Sequence, residues 1–272
     1  MKIGICLLLL ANESDPLAKQ YIPLIADAGY DYAEVSLARI YHLSDDDIAD
    51  YCRLFSQHNI KVESFNNAVP AGFSVIGNDA TEEVQNAYIE RSIMLAKQFG
   101  VSVITTSGPN AGRVPEGFDW PGVGYTRYID FLKRFADACS DDNISIALEP
   151  ICKAERGYVN TFDQALSIIK HVDMPNLSLL VDVYHSSLER EDFSRLASYA
   201  HSGVLTHLHV ANLENRTIPT LQDTEELCSL LEPLKAAHFN GRISIEAKPT
   251  VNTTAAISIS EGVKAIRKVF EL

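Results

Sequence analysis

The chain has 272 residues, 46% of them hydrophobic, and carries 36 Asp and Glu against 23 Lys and Arg for a net charge of −13. The length supports a sizeable core and fits either two domains or one α/β barrel of about 250 residues. An acidic balance without any basic run argues against a nucleic-acid surface, and five widely spaced cysteines without a CxxC pair argue against a disulfide framework or a Cys-type zinc site. No stretch approaches the ~18 apolar residues of a membrane span.

The first run, MKIGICLLLLANES, is interrupted by Gly4 and lacks a small-x-small cleavage site. It reads as a first core strand, and a soluble cytoplasmic protein with reduced thiols is expected. From there β-type runs alternate with helical patterns. KIGICLLL leads into DPLAKQYIPLIADAGY, YAEVSL into SDDDIADYCRLFSQHNI, and KVESFN into TEEVQNAYIERSIMLAKQFG. VSVITTS, ISIALEP, LSLLVDV, VLTHLHVA and RISIEAK complete eight strand candidates. Ser44, Thr81 and Thr161 stand before acid-bearing first turns, and Gly29 and Gly100 stand where helices should stop. Eight βα units without a linker or composition shift predict one α/β domain over residues 1–272, a single (β/α)8 TIM barrel; a doubly wound open sheet is the alternative. The longest irregular stretches, NNAVPAGFSVIGND and SGPNAGRVPEGFDWPGVG, follow strands, at the end where barrel active sites sit. GxGxxG, GxxxxGK[ST], GxSxG and HExxH motifs are all absent, so neither a nucleotide cradle nor a serine elbow is supported.

The last four strands share a feature. Strand five ends in Glu149, strand six ends in Asp182, strand seven carries His209 and strand eight carries Glu246. A carboxylate closing an apolar run costs several kcal/mol unless it is paired, hydrogen-bonded or bound to metal. Side chains two apart share a face. Glu149 therefore lies with Ala147 and Ser145, Glu246 with Ser244, and His209 with His207. Ile144, Ile146, Leu148, Leu208, Ile243 and Ile245 face the other way, toward the helices. Taken singly, a strand-end Glu is a salt-bridge partner and a strand His is a core residue. Four at matching positions on consecutive strands predict a metal site at the barrel mouth. Three carboxylates and one imidazole suit Mn2+, Mg2+ or Co2+ better than structural zinc. Without a cation the acids would repel strongly. His207 is the alternative to His209, which is preferred as nearer the strand end. Three more residues offer what a polyol substrate needs: His185 on the loop after Asp182, Glu155 in the loop after Glu149, and Arg216 beyond His209.

The stretches ALEPICKAERGYVNT, LLVDVYHSSLERED, HLHVANLENRTIP and ISIEAKP resemble the motifs of the xylose-isomerase-like TIM barrel superfamily, in its sugar isomerase and epimerase branch. YAEVSLARIYHLSDDDI, VESFNNAVP and SGPNAGRVPEGFDW extend the resemblance over nearly the whole chain. Ketose 3-epimerases of the tagatose/psicose type are its nearest understood members. The resemblance implies metal ligation by Glu149, Asp182, His209 and Glu246, with Glu149 and Glu246 doubling as the catalytic acid/base pair. It implies substrate binding by Glu155, His185 and Arg216, a divalent metal with Mn2+ foremost, and a homo-oligomer, dimer or tetramer, by analogy. Two departures stand out: Arg216 lies one residue further from the metal His than in that pattern, and Cys152 stands where the branch commonly has Asn.

The expected reaction is proton transfer at C3 of a ketose through a cis-enediolate, with aldose–ketose isomerisation from the same residues when the proton returns to the neighbouring carbon. The absent phosphate cradle favours a free sugar. A metal-dependent lyase or dehydratase acting on a keto-sugar, keto-inositol or C-glycoside is the alternative, and a non-catalytic barrel subunit is disfavoured because both acid/base glutamates are present. The endonuclease IV type is disfavoured by too few strand-end His and no basic surface. Phe118 and Trp120 either cover the sugar or pack at a helix start, Asn66 and Asn67 sit at the same rim, and Cys6 lines the floor.

Overall fold

Each strand has one apolar face and one small or polar face, and the architecture follows from sorting them. The computed structural model describes residues 1–106, 115–155, 158–250 and 253–271. Its strands are β1 (Lys2–Cys6), β2 (Tyr32–Ser36), β3 (Lys61–Asn66), β4 (Val103–Thr106), β5 (Ser145–Leu148), β6 (Leu177–Asp182), β7 (Leu205–Val210) and β8 (Arg242–Ile245). They pair in parallel in sequence order, and β1 closes on β8 from Lys2↔Arg242 to Ile5↔Ile245. The ring is a closed eight-stranded barrel, which disposes of the open-sheet alternative.

The outward faces are apolar as read from the strand alternation. Ile5, Ile146, Leu208 and Ile243 lie in one core with the helix residues Ile25, Leu95, Phe135, Ile168, Leu231 and Ile266. Each such side chain contributes about 1.5–3 kcal/mol on full burial. Inside the barrel one apolar layer, Val103, Ala147 and Leu180, separates otherwise polar lumen positions.

The helices are α1 (Ile22–Ala28), α2 (Leu37–Ile40), α3 (Asp45–Gln57), α4 (Glu82–Phe99), α5 (Tyr125–Ser140), α6 (Phe162–Val172), α7 (Val183–Leu188), α8 (Leu196–His201), α9 (Thr224–Ala236) and α10 (Ala255–Phe270). The start signals hold: Ser44 accepts from the Asp47 N–H, Thr81 from Val84, and Thr161 forms a capping box with Gln164. Gly29 (φ 83°) and Gly100 (φ 74°) end α1 and α4 in the left-handed region. The first helical pattern is shorter than it reads. The Asp15 carboxylate accepts the Lys19 and Gln20 N–H groups at 2.9 Å, so the chain turns there and α1 begins at Ile22.

Trp120 stacks on Tyr158 with ring centroids 4.4 Å apart, just ahead of α5, which favours its packing reading. Residues 107–114 of the long loop after β4 lie outside the described residues.

Gly4 is a tight point of the lumen floor. A Cβ there would fall 2.4 Å from the Tyr32 ring, whose hydroxyl lies 2.8 Å from Ser244 Oγ. Gly4→Ala is expected to cost roughly 1–3 kcal/mol by overpacking. Urea unfolding would show it as a lower midpoint at unchanged slope.

Candidate metal centre

The lumen faces of β5 to β8 end in the four predicted ligands. Glu149 directly follows β5, Asp182 closes β6, His209 lies within β7 in register with Asp182, and Glu246 directly follows β8. None is more than 5% exposed, and one donor atom from each lies within 4.8 Å of the others. His209 Nδ1 faces the acids, at 3.2 Å from Glu149 Oε1, 3.8 Å from Glu246 Oε2 and 4.0 Å from Asp182 Oδ2. The two oxygens of Asp182 divide their work. Oδ1 accepts the Tyr184 and His185 N–H groups at 2.7 and 3.0 Å, capping α7, while Oδ2 is turned to the imidazole. A buried set of three carboxylates and one imidazole fits an oxygen-preferring divalent cation. His207 sits one layer deeper and is not in this set.

The electrostatics point the same way. Burial pushes the Glu149 carboxyl up, and the negative charges of Glu246 and Asp182 add to this against the pull of His209. Burial works against Glu246 too, but the charges of His209 and Arg216 outweigh it and hold its carboxyl below the usual range. Burial opposes a charged His209, yet the carboxylates of Glu34, Glu246 and Glu149 raise its pKa well above that of an ordinary histidine. The surrounding carboxylates thus favour a protonated His209 at the point where a cation would sit.

His185, Glu155 and Arg216 gather around the same point. His185 is buried on the first turn of α7 rather than on a loop, because Asp182 starts the helix immediately. Its Nδ1 lies 3.3 Å from Cys152 Sγ and its Nε2 lies 3.1 Å from Arg216 Nη2. Arg216 donates to Glu155 Oε1 at 2.9 Å and to Glu246 Oε2 at 2.6 Å, and stands 3.7 Å from Asp182 Oδ2. Glu155 is on a single 3-10 turn and partly exposed. Glu149, Glu155, His185, Arg216 and Glu246 line one cavity of ≈ 460 Å³ at the C-terminal end of the barrel, within the range of small-molecule sites. Asn66 donates to Glu246 Oε1 at 2.8 Å and to Cys6 Sγ at 2.7 Å, and Asn67 lines the cavity, so Cys6, Asn66 and Asn67 fall where the strand ends put them.

One residue of the centre is absent from the reading of the sequence. Glu34 on β2 is fully buried, with Oε1 at 2.8 Å from His209 Nε2 and Oε2 at 3.1 Å from His207 Nε2. Close as they are, Glu34 Oε1 and His209 Nε2 do not align as a hydrogen bond, and neither atom has a hydrogen-bond partner among the described residues. Ser244 and Ser64 donate to Oε2. When Nδ1 ligates, Nε2 must carry the ring proton, and Glu34 is the carboxylate placed to receive it. Two histidines two apart in LTHLHVA were the available signal, since both need a buried acceptor across the lumen.

Residues 22–269 match the xylose isomerase-like TIM barrel family, and the chain belongs to it. D-psicose 3-epimerase of Agrobacterium fabrum is 23% identical over 204 residues, covering 73% of this chain and 68% of that protein. A Mus musculus protein provisionally named hydroxypyruvate isomerase is 25% identical over 177 residues, 62% of each chain. By sequence, the chain thus spans under two thirds of some curated relatives, 62% of the mouse protein and 63% of a Synechocystis sp. protein. A crystal structure of D-psicose 3-epimerase with D-fructose superposes over 99% of both chains, with TM-score 0.82 and 19% identity, a likeness of fold.

Two outcomes follow from this geometry. Mn2+ uptake must displace the His209 proton, so affinity is expected to rise with pH by up to about tenfold per unit below the His209 pKa. Calorimetric titration in buffers of different ionisation enthalpy measures the released proton. Glu34→Gln is expected to weaken Mn2+ binding about 10–100-fold, read by paramagnetic resonance of free Mn2+ while circular dichroism confirms the fold.

Proposed function

We propose that this protein is a metal-dependent ketose 3-epimerase. The observation that carries the reading is a pair of buried carboxylates, Glu149 and Glu246, reaching one cavity from β5 and β8, with His185 and Arg216 beside them. The family and the relatives named above, a 3-epimerase and an isomerase, support a sugar-converting enzyme.

The residues fit a divalent ion held by Glu149, Asp182, His209 and Glu246, with Mn2+ the first choice. Such an ion supplies Lewis acidity that lowers the barrier to removing a proton next to a carbonyl. The chain's own groups do the rest. One glutamate takes the C3 proton, and the other, on the opposite side of the site, returns a proton to the other face. Arg216 and His185 stand where negative charge develops on the substrate oxygens, and they stabilise the cis-enediolate. Glu155 orients the guanidinium through its 2.9 Å contact. Both glutamates are nearly buried, which shields the enediolate from bulk water during the transfer, while the returning glutamate regains its proton from solvent between turnovers.

The test is incubation of the Mn2+-loaded protein with a panel of ketoses in D2O. Deuterium at C3 together with a new epimer is expected. Label at C1 or C2 with aldose formation would replace epimerisation by isomerisation, release of an elimination product would favour a lyase, and no exchange by protein shown to hold metal would defeat the proposal. Glu246→Gln is expected to lower C3 exchange by about 10²–10⁴-fold.

A further inference from the structure

We propose that the cavity selects a ketose with a terminal anionic group, phosphate or carboxylate, held at the mouth by Lys248 and Arg39. This rests on the ketose reading above and adds the charge of the substrate.

The cavity has a deep end and a shallow one. Glu149 and Glu246 are 4% and 5% exposed, so the reacting carbons must lie deep. Arg39 and Lys248 line the same cavity but are exposed, at its rim. Arg39 lies on α2, after β2, and Lys248 lies two residues past Glu246, after β8. Because β1 pairs with β2 on one side and β8 on the other, these two cations flank one sector of the mouth, beside Leu8 and Leu9.

Both are anchored near the cavity. The Lys248 N–H donates to the Arg216 carbonyl at 2.9 Å, its own carbonyl accepts from Ile218 at 2.8 Å, and Thr217↔Lys248 form a parallel bridge. The short ladder that holds Arg216 therefore also sets where the Lys248 side chain starts. Arg39 donates Nη1 to the Pro16 carbonyl at 2.6 Å, leaving the rest of its fork for a ligand.

Charge separates this pair from the third cation of the cavity. Arg216 is matched by Glu155 and Glu246, whereas neither Arg39 nor Lys248 has an ion-pair partner among the described residues. In a chain of net charge −13, two unmatched cations on one lip of one cavity stand against the general surface. A neutral ketose offers them no counter-charge. A terminal phosphate or carboxylate would accept charge-assisted hydrogen bonds from both. The missing glycine-rich cradle bears only on recognition by backbone amides; side-chain cations are the other route. The preference for a free sugar, drawn from that missing cradle, gives way to this reading.

The experiment compares three ketoses of equal chain length: the free sugar, its terminal phosphate and the corresponding keto-acid. Calorimetric Kd and kcat/KM for proton exchange are measured separately, at low and high salt, on the Mn2+-loaded wild type, on Lys248→Ala and on a Lys248→Ala/Arg39→Gln double variant. At least one anionic ketose is expected to be preferred over the free one by roughly tenfold or more. That ratio is expected to shrink in Lys248→Ala and at high salt, and whichever anion wins names the group. Free ketose bound as well as both anions, or a preference that survives in the double variant, overturns the proposal. Anionic binding without C3 exchange would sink the epimerase reading alone, and C3 exchange confined to free ketose would sink this one alone.

Discussion

Three carboxylates and an imidazole share a buried space at the barrel mouth, and this repulsion is the constraint on which the site is built. Two like charges about 4 Å apart repel by about 4 kcal/mol even at an effective dielectric near 20. The fold supplies partial compensation from every side. Arg216 enters from the loop after β7 and reaches Glu246 and Asp182. Asp182 spends one oxygen on the N-terminus of α7, and Asn66 donates to Glu246 from β3. The charges of the carboxylates also raise the pKa of His209 well above that of an ordinary histidine, favouring its positive form. A divalent ion would replace that positive charge and relieve the acids together, so the site's electrostatics and its suitability for metal are one property.

The floor beneath the acids serves the same end. Glu34 is a carboxylate with no exposure, yet its carboxyl lies well below the usual range, because the charges of His209 and His207 outweigh the penalty of burial. Ser64, Ser244 and Tyr32 extend the network around it. Such a network has value only when satisfied, since removing one partner leaves a buried charge unpaired. Above it, the His209 ring presents Nε2 to Glu34 and Nδ1 to the acids. The close approach of Tyr32 to Gly4 belongs to this floor: a larger residue on β1 would push the ring, and with it Ser244, away from Glu34.

The fold and the upper half of the site were legible because both rest on local rules. Alternation along β5, β7 and β8 separated Glu149, His209 and Glu246 from the apolar face, and the strand ends placed them at one rim. Caps at Ser44, Thr81 and Thr161 are encoded within four residues and read directly. Glu34 was not legible as part of the site, because alternation along YAEVS sets it opposite Ala33 and Val35 without showing what it meets. Its partners lie on β7, across the lumen, and nothing in a single sequence shows which lumen positions meet. His185 was placed on a loop for a related reason: Asp182 ends a strand and caps a helix at once, leaving no loop between them.

Arg216 ties the two ends of the cavity together. It is held at φ 56°, a left-handed conformation that costs a non-glycine residue roughly 1–2 kcal/mol. That strain persists because the surroundings over-determine it. The Arg216 N–H donates to Asn212, its carbonyl accepts from Lys248, and the next residue, Thr217, is held by Asn215. The backbone that aims the guanidinium at Glu246 is thus the backbone that roots Lys248 at the rim. Glu246 Oε2 is claimed both by Arg216, at 2.6 Å, and by the set around His209 Nδ1, at 3.8 Å. A cation entering among the acids would weaken the hold of Glu246 on Arg216 and free donors for a substrate oxygen. The strained residue therefore joins the acids at the bottom of the cavity to the exposed Lys248 at its mouth through one short stretch of backbone.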